Sequence, residues 1–167
     1  LEQALSAVAR QHDALRLRCT KTTNGWSQQY ATEAERASLQ WVSLESMPAS
    51  DRARAIEETC ALAQSELNIE TGPLWKAVYF DLGQGAGRLF LTVHHLAVDG
   101  VSWRPLLEDL EAAYMQAGGG RPVELPAKSS SFKKWSEHLT AYARSEALQS
   151  EVPYWNAVTN FRQTELI

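Results

Sequence analysis

The sequence contains only two cysteines, Cys19 and Cys60, and neither belongs to a CxxC pair. Isolated thiols argue against a disulfide framework and a cysteine-based zinc site, and they are typical of the reducing cytosol, so we expect a cytoplasmic protein. No apolar run is long enough to span a bilayer, and the first residues do not resemble a signal peptide. The 16 Lys and Arg against 20 Asp and Glu give a net charge of −4, which argues against a nucleic-acid-binding surface.

The chain does contain enough apolar material for one folded core. Its 167 residues suit a single domain, and 44% of them are hydrophobic, including six tryptophans. The sequence has no initiator Met, is already in helical register at Leu1, and stops abruptly at Ile167. We therefore interpret residues 1–167 as a piece cut from a longer polypeptide.

Hydrophobic periodicity predicts most of the elements in the first half of the chain. Apolar residues at helical spacing predict a helix from Leu1 to about His12. Residues 14–19 alternate with period two, which predicts a strand with Arg16 and Arg18 on the face opposite its apolar residues. The following patterns predict a hairpin turn at Asn24-Gly25, a return strand over 26–30, a strand over about 39–44, and a helix from an N-cap at Ser50 to about Leu67.

The second half is predicted in the same way. Two long strands, 74–80 and 89–93, are joined by a glycine-rich turn at 83–87 and form an antiparallel hairpin. An amphipathic helix begins after Ser102, the region 123–131 is an extended loop, and helical stripes follow at 132–143 and around Tyr154-Trp155. The predicted fold class is therefore α/β (α+β), a two-layer sandwich of helices against a largely antiparallel mixed sheet.

The residues His94 and His95 directly follow the second strand of this hairpin. Because adjacent strand residues point to opposite faces, the two imidazoles cannot turn toward one ligand, which disfavours a metal site formed with Asp99. Both faces of the strand are largely apolar, which predicts that it is covered on both sides and does not lie at an edge. An imidazole with an unperturbed pKa of about 6.5 at such a strand end is a candidate acid/base group, the alternative being a buried structural histidine.

The turn after the histidines offers further candidates. The Asp99 carboxylate is either a second acid/base group or, more simply, an acceptor for nearby backbone N–H groups. Gly100 either takes a positive φ or allows close approach of a ligand, or is a plain turn glycine. Ser102 is most simply a helix cap, with substrate contact as the alternative, and Trp103 is a core residue.

Several segments carry a family resemblance. Residues 94–100 read HHLAVDG and match an HHxxxDG motif, residues 12–18 read HDALRLR and resemble an RHExLRxR segment, and further matches are LPAKSSSFKKW at 125–135 and Tyr154-Trp155. Together they resemble the condensation-domain superfamily of nonribosomal peptide synthetases, which is similar in fold to chloramphenicol acetyltransferase. Within it, DGVSWR at 99–104 followed by LLEDL at 106–110 looks most like epimerization domains.

The resemblance implies a function and a set of roles. His95 is implied to be the acid/base that epimerizes the α-carbon of an aminoacyl or peptidyl thioester, from L to D, on the phosphopantetheine of a carrier protein. No metal or diffusible cofactor is implied to bind directly. We interpret His94 as a structural residue that orients the turn or its neighbour. The resemblance implies that Asp99 forms a salt bridge with an arginine, for which Arg16 is our first candidate and Arg18 our second.

The resemblance covers only the first of two lobes. The partner carboxyl of epimerization domains belongs to a second lobe, so we expect this chain alone to be inactive. The developing oxyanion needs donors, for which backbone N–H groups near Gly100 or at the helix after Ser102 are candidates. The alternatives are a condensation domain that forms an amide bond, an acetyltransferase that uses coenzyme A, and a non-catalytic lobe that docks a carrier protein.

Overall fold

The computed structural model describes residues 1–32 and 39–159. The chain divides into two compact units, the first comprising Leu1–Ala127 and the second beginning at Lys128. Within the described ranges, no helix is both long enough and apolar enough to cross a membrane. The elements of the first unit are α1 (Glu2–Gln11), a 3₁₀ turn (Asp13–Arg16), β1 (Leu17–Thr22), β2 (Gly25–Tyr30), β3 (Leu39–Ser43), α2 (Ala49–Ser65), β4 (Trp75–Gly83), β5 (Ala86–Val93) and α3 (Trp103–Gly118).

The strands of the first unit form two sheets. The strands β1 and β2 make an antiparallel hairpin, as predicted, but its turn is Thr23-Asn24 and Gly25 already pairs with Thr22. The second sheet has the order β3-β4-β5, with β3 parallel to β4 and β4 antiparallel to β5. The β4–β5 register runs from Trp75 opposite Val93 to Gly83 opposite Ala86, which confirms the predicted hairpin.

The central strand β4 divides two hydrophobic clusters because its side chains alternate between the two faces of the sheet. Trp75 and Ala77 belong to the first cluster, together with residues of α1 and α3, and Leu91 and Val93 of β5 pack against it. Val78 and Phe80 belong to the second cluster, against which α2 and Phe90 pack. Helices therefore cover both faces of this sheet, and the predicted mixed α/β sandwich with helix-covered sheets is confirmed.

The prediction for the histidine-bearing strand is half right. Side chains on both faces of β5 pack against a cluster, as expected. However, over the described ranges β5 has a strand neighbour only in β4, so it lies at the edge of the sheet. Its first four residues, 86–89, are exposed.

Two local predictions are wrong. Residues 13–16 form a 3₁₀ turn, and the strand begins only at Leu17. Arg16 is buried because its guanidinium donates to the carbonyls of Ala9 at 2.6 Å and Arg10 at 3.0 Å, at the carboxyl end of α1. Pro48, and not Ser50, occupies the N-cap position of α2, and Ser50 lies in the first turn.

The second unit contains three helices in its described part. They are α4 (Phe132–Ala143), α5 (Glu146–Gln149) and α6 (Val152–Thr159), which confirms the helical predictions at 132–143 and around Tyr154-Trp155. The Ser131 hydroxyl caps α4 by accepting from the backbone N–H of Lys134 at 3.2 Å.

Gly87 is required by the close packing of β4 on β5. The Tyr79 ring lies over Gly87, where a Cβ would overlap its hydroxyl and ring atoms. We expect Gly87→Ala to reduce the free energy of unfolding by about 1–3 kcal/mol, as overpacking does. Denaturant unfolding of the protein that contains this chain measures the loss.

The double variant Tyr79→Leu/Gly87→Ala should lose less free energy of unfolding than the two single variants lose in total, because the Tyr79 ring that overlaps the new Cβ is gone. Gly118→Ala is the matched control, since a Cβ there meets no atom within 4 Å. Equal losses at Gly87 and Gly118, or strict additivity with Tyr79, would contradict this packing.

Candidate active site

His94 is held by three hydrogen bonds at the end of the β4–β5 hairpin. Its backbone N–H donates to the Leu74 carbonyl at 2.8 Å, which extends the strand pairing. Its carbonyl accepts from the N–H of Ala97 at 2.8 Å, and its ring Nδ1 accepts from the N–H of Leu96 at 3.1 Å. An acceptor Nδ1 carries no proton, so in neutral His94 the proton is on Nε2. His94 therefore shapes the turn at residues 95–97.

His95 stands in that turn with a free imidazole. Its side chain is exposed, and neither ring nitrogen forms a hydrogen bond to any residue the structure describes. The alternative of a buried structural histidine does not fit this environment. An exposed ring nitrogen without a partner can accept or release a proton without breaking a protein contact.

Asp99 organises the next turn with one carboxylate oxygen. Its Oδ1 accepts from the N–H of Val101 at 3.1 Å, from the N–H of Ser102 at 2.8 Å, and from the Ser102 hydroxyl at 2.5 Å. The Ser102 hydroxyl is the largest cause, followed by the backbone N–H groups, of a lowered pKa for Asp99. These bonds favour the ionised form, so Asp99 is a structural carboxylate here and has no proton to donate near neutral pH.

The salt bridge predicted between Asp99 and Arg16 is wrong, and the structure excludes some of the alternatives that the sequence left open for Gly100 and Ser102. Asp99 does not pair with Arg16, whose guanidinium instead contacts Asp13 at 2.9 Å and the end of α1. Gly100 does not have a positive φ, and the space beside it is open. Ser102 does occupy the N-cap position of α3, but its hydroxyl donates to Asp99 and does not cap the helix.

Arg18, the second candidate partner of Asp99, is also placed elsewhere. It is buried, donates to the Leu17 carbonyl at 2.8 Å, and lies where a Cβ on Gly72 would stand. Over the described chain, the hydrogen bonds that the Asp99 carboxylate accepts from other residues come from Val101 and Ser102. The Asp99 carboxylate, which the resemblance implied to be the partner of an arginine, thus accepts from residues of its own turn.

One contact between α1 and α3 had no sequence signal. His12 Nε2 lies 2.8 Å from Asp109 Oδ2 and joins the end of α1 to the middle of α3. The sequence assigned no role to His12, because its partner is 97 residues away and no spacing rule connects them. Among the described residues, no group of three or more His, Cys, Asp or Glu side chains is arranged to hold a metal ion.

Comparison with known proteins identifies the family of this chain. The family model described as "Condensation domain" matches residues 1–166, so the chain belongs to the condensation domain family. Among curated proteins, it is 47% identical over 156 residues to a subunit of the linear gramicidin synthase of Brevibacillus parabrevis, a match that covers 93% of this chain and 3% of that protein. It is 36% identical to tyrocidine synthase 1 of the same organism, over 95% of this chain and 14% of that protein.

Solved structures confirm the fold. The epimerization domain from the third module of tyrocidine synthetase B superposes with a TM-score of 0.88 and 35% identity, over 99% of this chain and 37% of that one. The starter condensation domain of rhizomide synthetase gives a TM-score of 0.75 at 20% identity, over 96% and 38%, which shows a common fold. The chain thus spans less than two fifths of these domains and a small part of the curated relatives.

The lowered pKa of Asp99 leads to a test of the turn. A pKa lower in the folded than in the unfolded chain means that the ionised carboxylate stabilises the fold above the ordinary aspartate pKa, and that this stabilisation is lost as the pH falls through the folded-state value. The amide ¹H resonance of Ser102, which reports the Asp99 carboxylate, should titrate below the ordinary aspartate range. In Ser102→Ala the pKa of Asp99 should rise, because the hydroxyl donor is gone.

Val101→Ala is the control for this titration, because it keeps the backbone N–H that Asp99 accepts from and should leave the pKa of Asp99 low. An Asp99 pKa at or above the ordinary value in the unsubstituted protein would show that the three-donor turn does not form. The same conclusion would follow if Ser102→Ala left that pKa unchanged.

Proposed function

We propose that this chain is the N-terminal lobe of an epimerization domain in a nonribosomal peptide synthetase. The observation that carries this proposal is the likeness to the tyrocidine synthetase epimerization domain over 99% of the chain, at 35% identity. The solved starter condensation domain is only 20% identical, so its likeness supports the fold and not a reaction. The curated relatives are themselves named as gramicidin and tyrocidine synthases.

The proposed substrate is an aminoacyl or peptidyl group, thioesterified to the phosphopantetheine arm of a carrier protein domain. The carrier protein is the proposed partner, and the arm arrives with the substrate and is not a resident cofactor. This fits the exposure of His95, whose side chain is not buried by the described part of the chain. A second lobe of the same domain is the other proposed partner.

The proposed chemistry begins at the unprotonated ring nitrogen of neutral His95. In its neutral form this nitrogen takes the proton from the α-carbon, and the C–H electron pair moves into an enolate-like thioester. A proton delivered to the opposite face then gives the D configuration, after which His95 releases the proton it took. His94 does not serve as this base, because protonation of its Nδ1 would break the bond from Leu96.

The opposite-face donor lies, in this proposal, on the second lobe. Asp99 is a poor candidate because three hydrogen bonds stabilise its ionised form, which has no proton to give. The N–H groups of Val101 and Ser102 are also engaged by Asp99, so they are not available to an enolate oxyanion. Two of the backbone donors that the sequence suggested near Gly100 are therefore excluded, and we propose that the oxyanion donors lie outside residues 101–102.

A condensation domain remains the second candidate function. The matching family model bears that name and covers residues 1–166, and His95 would then assist attack of an amine on an upstream thioester. In that reaction an amide bond forms and the α-hydrogen of the donor is not exchanged. Exchange at the α-carbon therefore separates the two functions.

The test uses the protein that contains this chain, with an aminoacyl- or peptidyl-carrier thioester in D₂O. We expect deuterium to enter the α-position and a mixture of L and D product to form. His95→Ala should lower the exchange rate by about 10²–10⁴-fold, the usual contribution of an acid/base group. Mass spectrometry measures the deuterium, and chiral chromatography the two products.

His138→Ala is the matched control, because it removes an exposed imidazole of the second unit and should leave the rate unchanged. Exchange that persists in His95→Ala would remove His95 from the chemistry. An absence of exchange together with amide formation, once an acceptor carrier is added, would establish condensation and contradict epimerization.

A further inference from the structure

The contact between His12 and Asp109 has the features of a built interaction. The two side chains are 26% and 17% exposed, and the Nε2 to Oδ2 distance of 2.8 Å is that of a strong hydrogen bond. Within the described chain, no other hydrogen bond or ion pair joins a side chain of the segment Glu2–His12 to one of α3.

The apolar packing around this bond explains why a single polar contact can affect the position of α3. The helices α1 and α3 meet through small and aliphatic side chains, namely Ala4, Leu5, Val8, Leu106, Leu110 and Ala113. Apolar contact is non-directional, so it does not by itself align one particular pair of atoms on the two helices. A hydrogen bond depends steeply on distance and angle, and it therefore adds a directional constraint on where α3 stands along α1.

The position of α3 is transmitted to the site through its first residues. The backbone N–H of Leu106 donates to the Ser102 carbonyl at 3.3 Å, and that of Arg104 to the Val101 carbonyl at 3.3 Å. Val101 and Ser102 are also the residues that hold the Asp99 carboxylate. A shift of α3 would thus move the turn around Asp99, which lies four residues after His95.

We propose that His12 and Asp109 are positioning residues for the site: their hydrogen bond fixes α3, and α3 fixes the Asp99 turn beside His95. This inference rests on the proposed function only for its effect on rate. Its structural part, the placement of the Asp99 turn, holds whichever reaction His95 performs.

The bond requires a donor at His12 and an acceptor at Asp109, and it does not require a charge on the imidazole. In neutral His12 the proton must be on Nε2, and a glutamine side chain places an N–H donor at a similar distance. Asn in place of Asp109 likewise keeps an oxygen acceptor. His12→Gln and Asp109→Asn therefore preserve the bond, whereas His12→Leu and Asp109→Leu remove it.

The experiment measures two quantities in the protein that contains this chain: the amide ¹H shift of Ser102, and kcat and KM for α-hydrogen exchange. In His12→Leu and Asp109→Leu we expect the Ser102 shift to move and kcat to fall about 10-fold to 100-fold with KM unchanged, because misplacement affects the reacting geometry. The double Leu variant should lose no more than either single variant, because one bond is removed in all three. His12→Gln and Asp109→Asn should retain the Ser102 shift and kcat.

Glu108→Ala is the matched control, because it removes the exposed pair with Arg104 on the same helix and leaves the contact with α1 intact. If Leu variants do not fold, the Gln and Asn variants decide: a loss of kcat with a moved Ser102 shift in both overturns the proposal. An unmoved Ser102 shift in a folded Leu variant also overturns it. If the unsubstituted protein exchanges no α-hydrogen, the proposed function fails and the Ser102 shift alone tests the positioning.

Discussion

The geometry of the candidate site depends on one carboxylate oxygen, Asp99 Oδ1, and the three donors around it. Their bonds close the turn between β5 and α3, two elements that both pack against the first hydrophobic cluster. The loop is therefore held at each end, by strand pairing at His94 and by the helix start at Ser102. His95 lies between these two fixed points.

This arrangement gives the two adjacent histidines different environments. His94 uses its backbone N–H, its carbonyl and its ring Nδ1 in hydrogen bonds, so a change in its protonation would disturb the turn. His95 forms no hydrogen bond through either ring nitrogen within the described chain, so a proton added there breaks no bond to these residues. This exposed, unbonded imidazole is the one to which we assign the proposed acid/base role.

The sequence predicted most of the elements because their patterns are local. The helix α1, the β4–β5 hairpin and α4 lie within a few residues of their predicted bounds, since each carries its own periodicity and turn residues. The errors concern choices made by tertiary structure. Arg16 donates to the carbonyls of Ala9 and Arg10 at the end of α1, a choice that depends on how the chain folds after the helix. His12 and Asp109 meet only because two helices pack, which no local pattern encodes.

The different hydrogen bonding of the His94 and His95 rings is tested most directly by ¹⁵N NMR of the imidazoles in the protein that contains this chain. Neutral His94 should occupy a single tautomer, with Nδ1 unprotonated and coupled through its hydrogen bond to the Leu96 amide. His95 should show no such coupling and should exchange between tautomers. A His94 ring with a protonated Nδ1, or a coupling of the Leu96 amide to His95 in its place, would contradict the account.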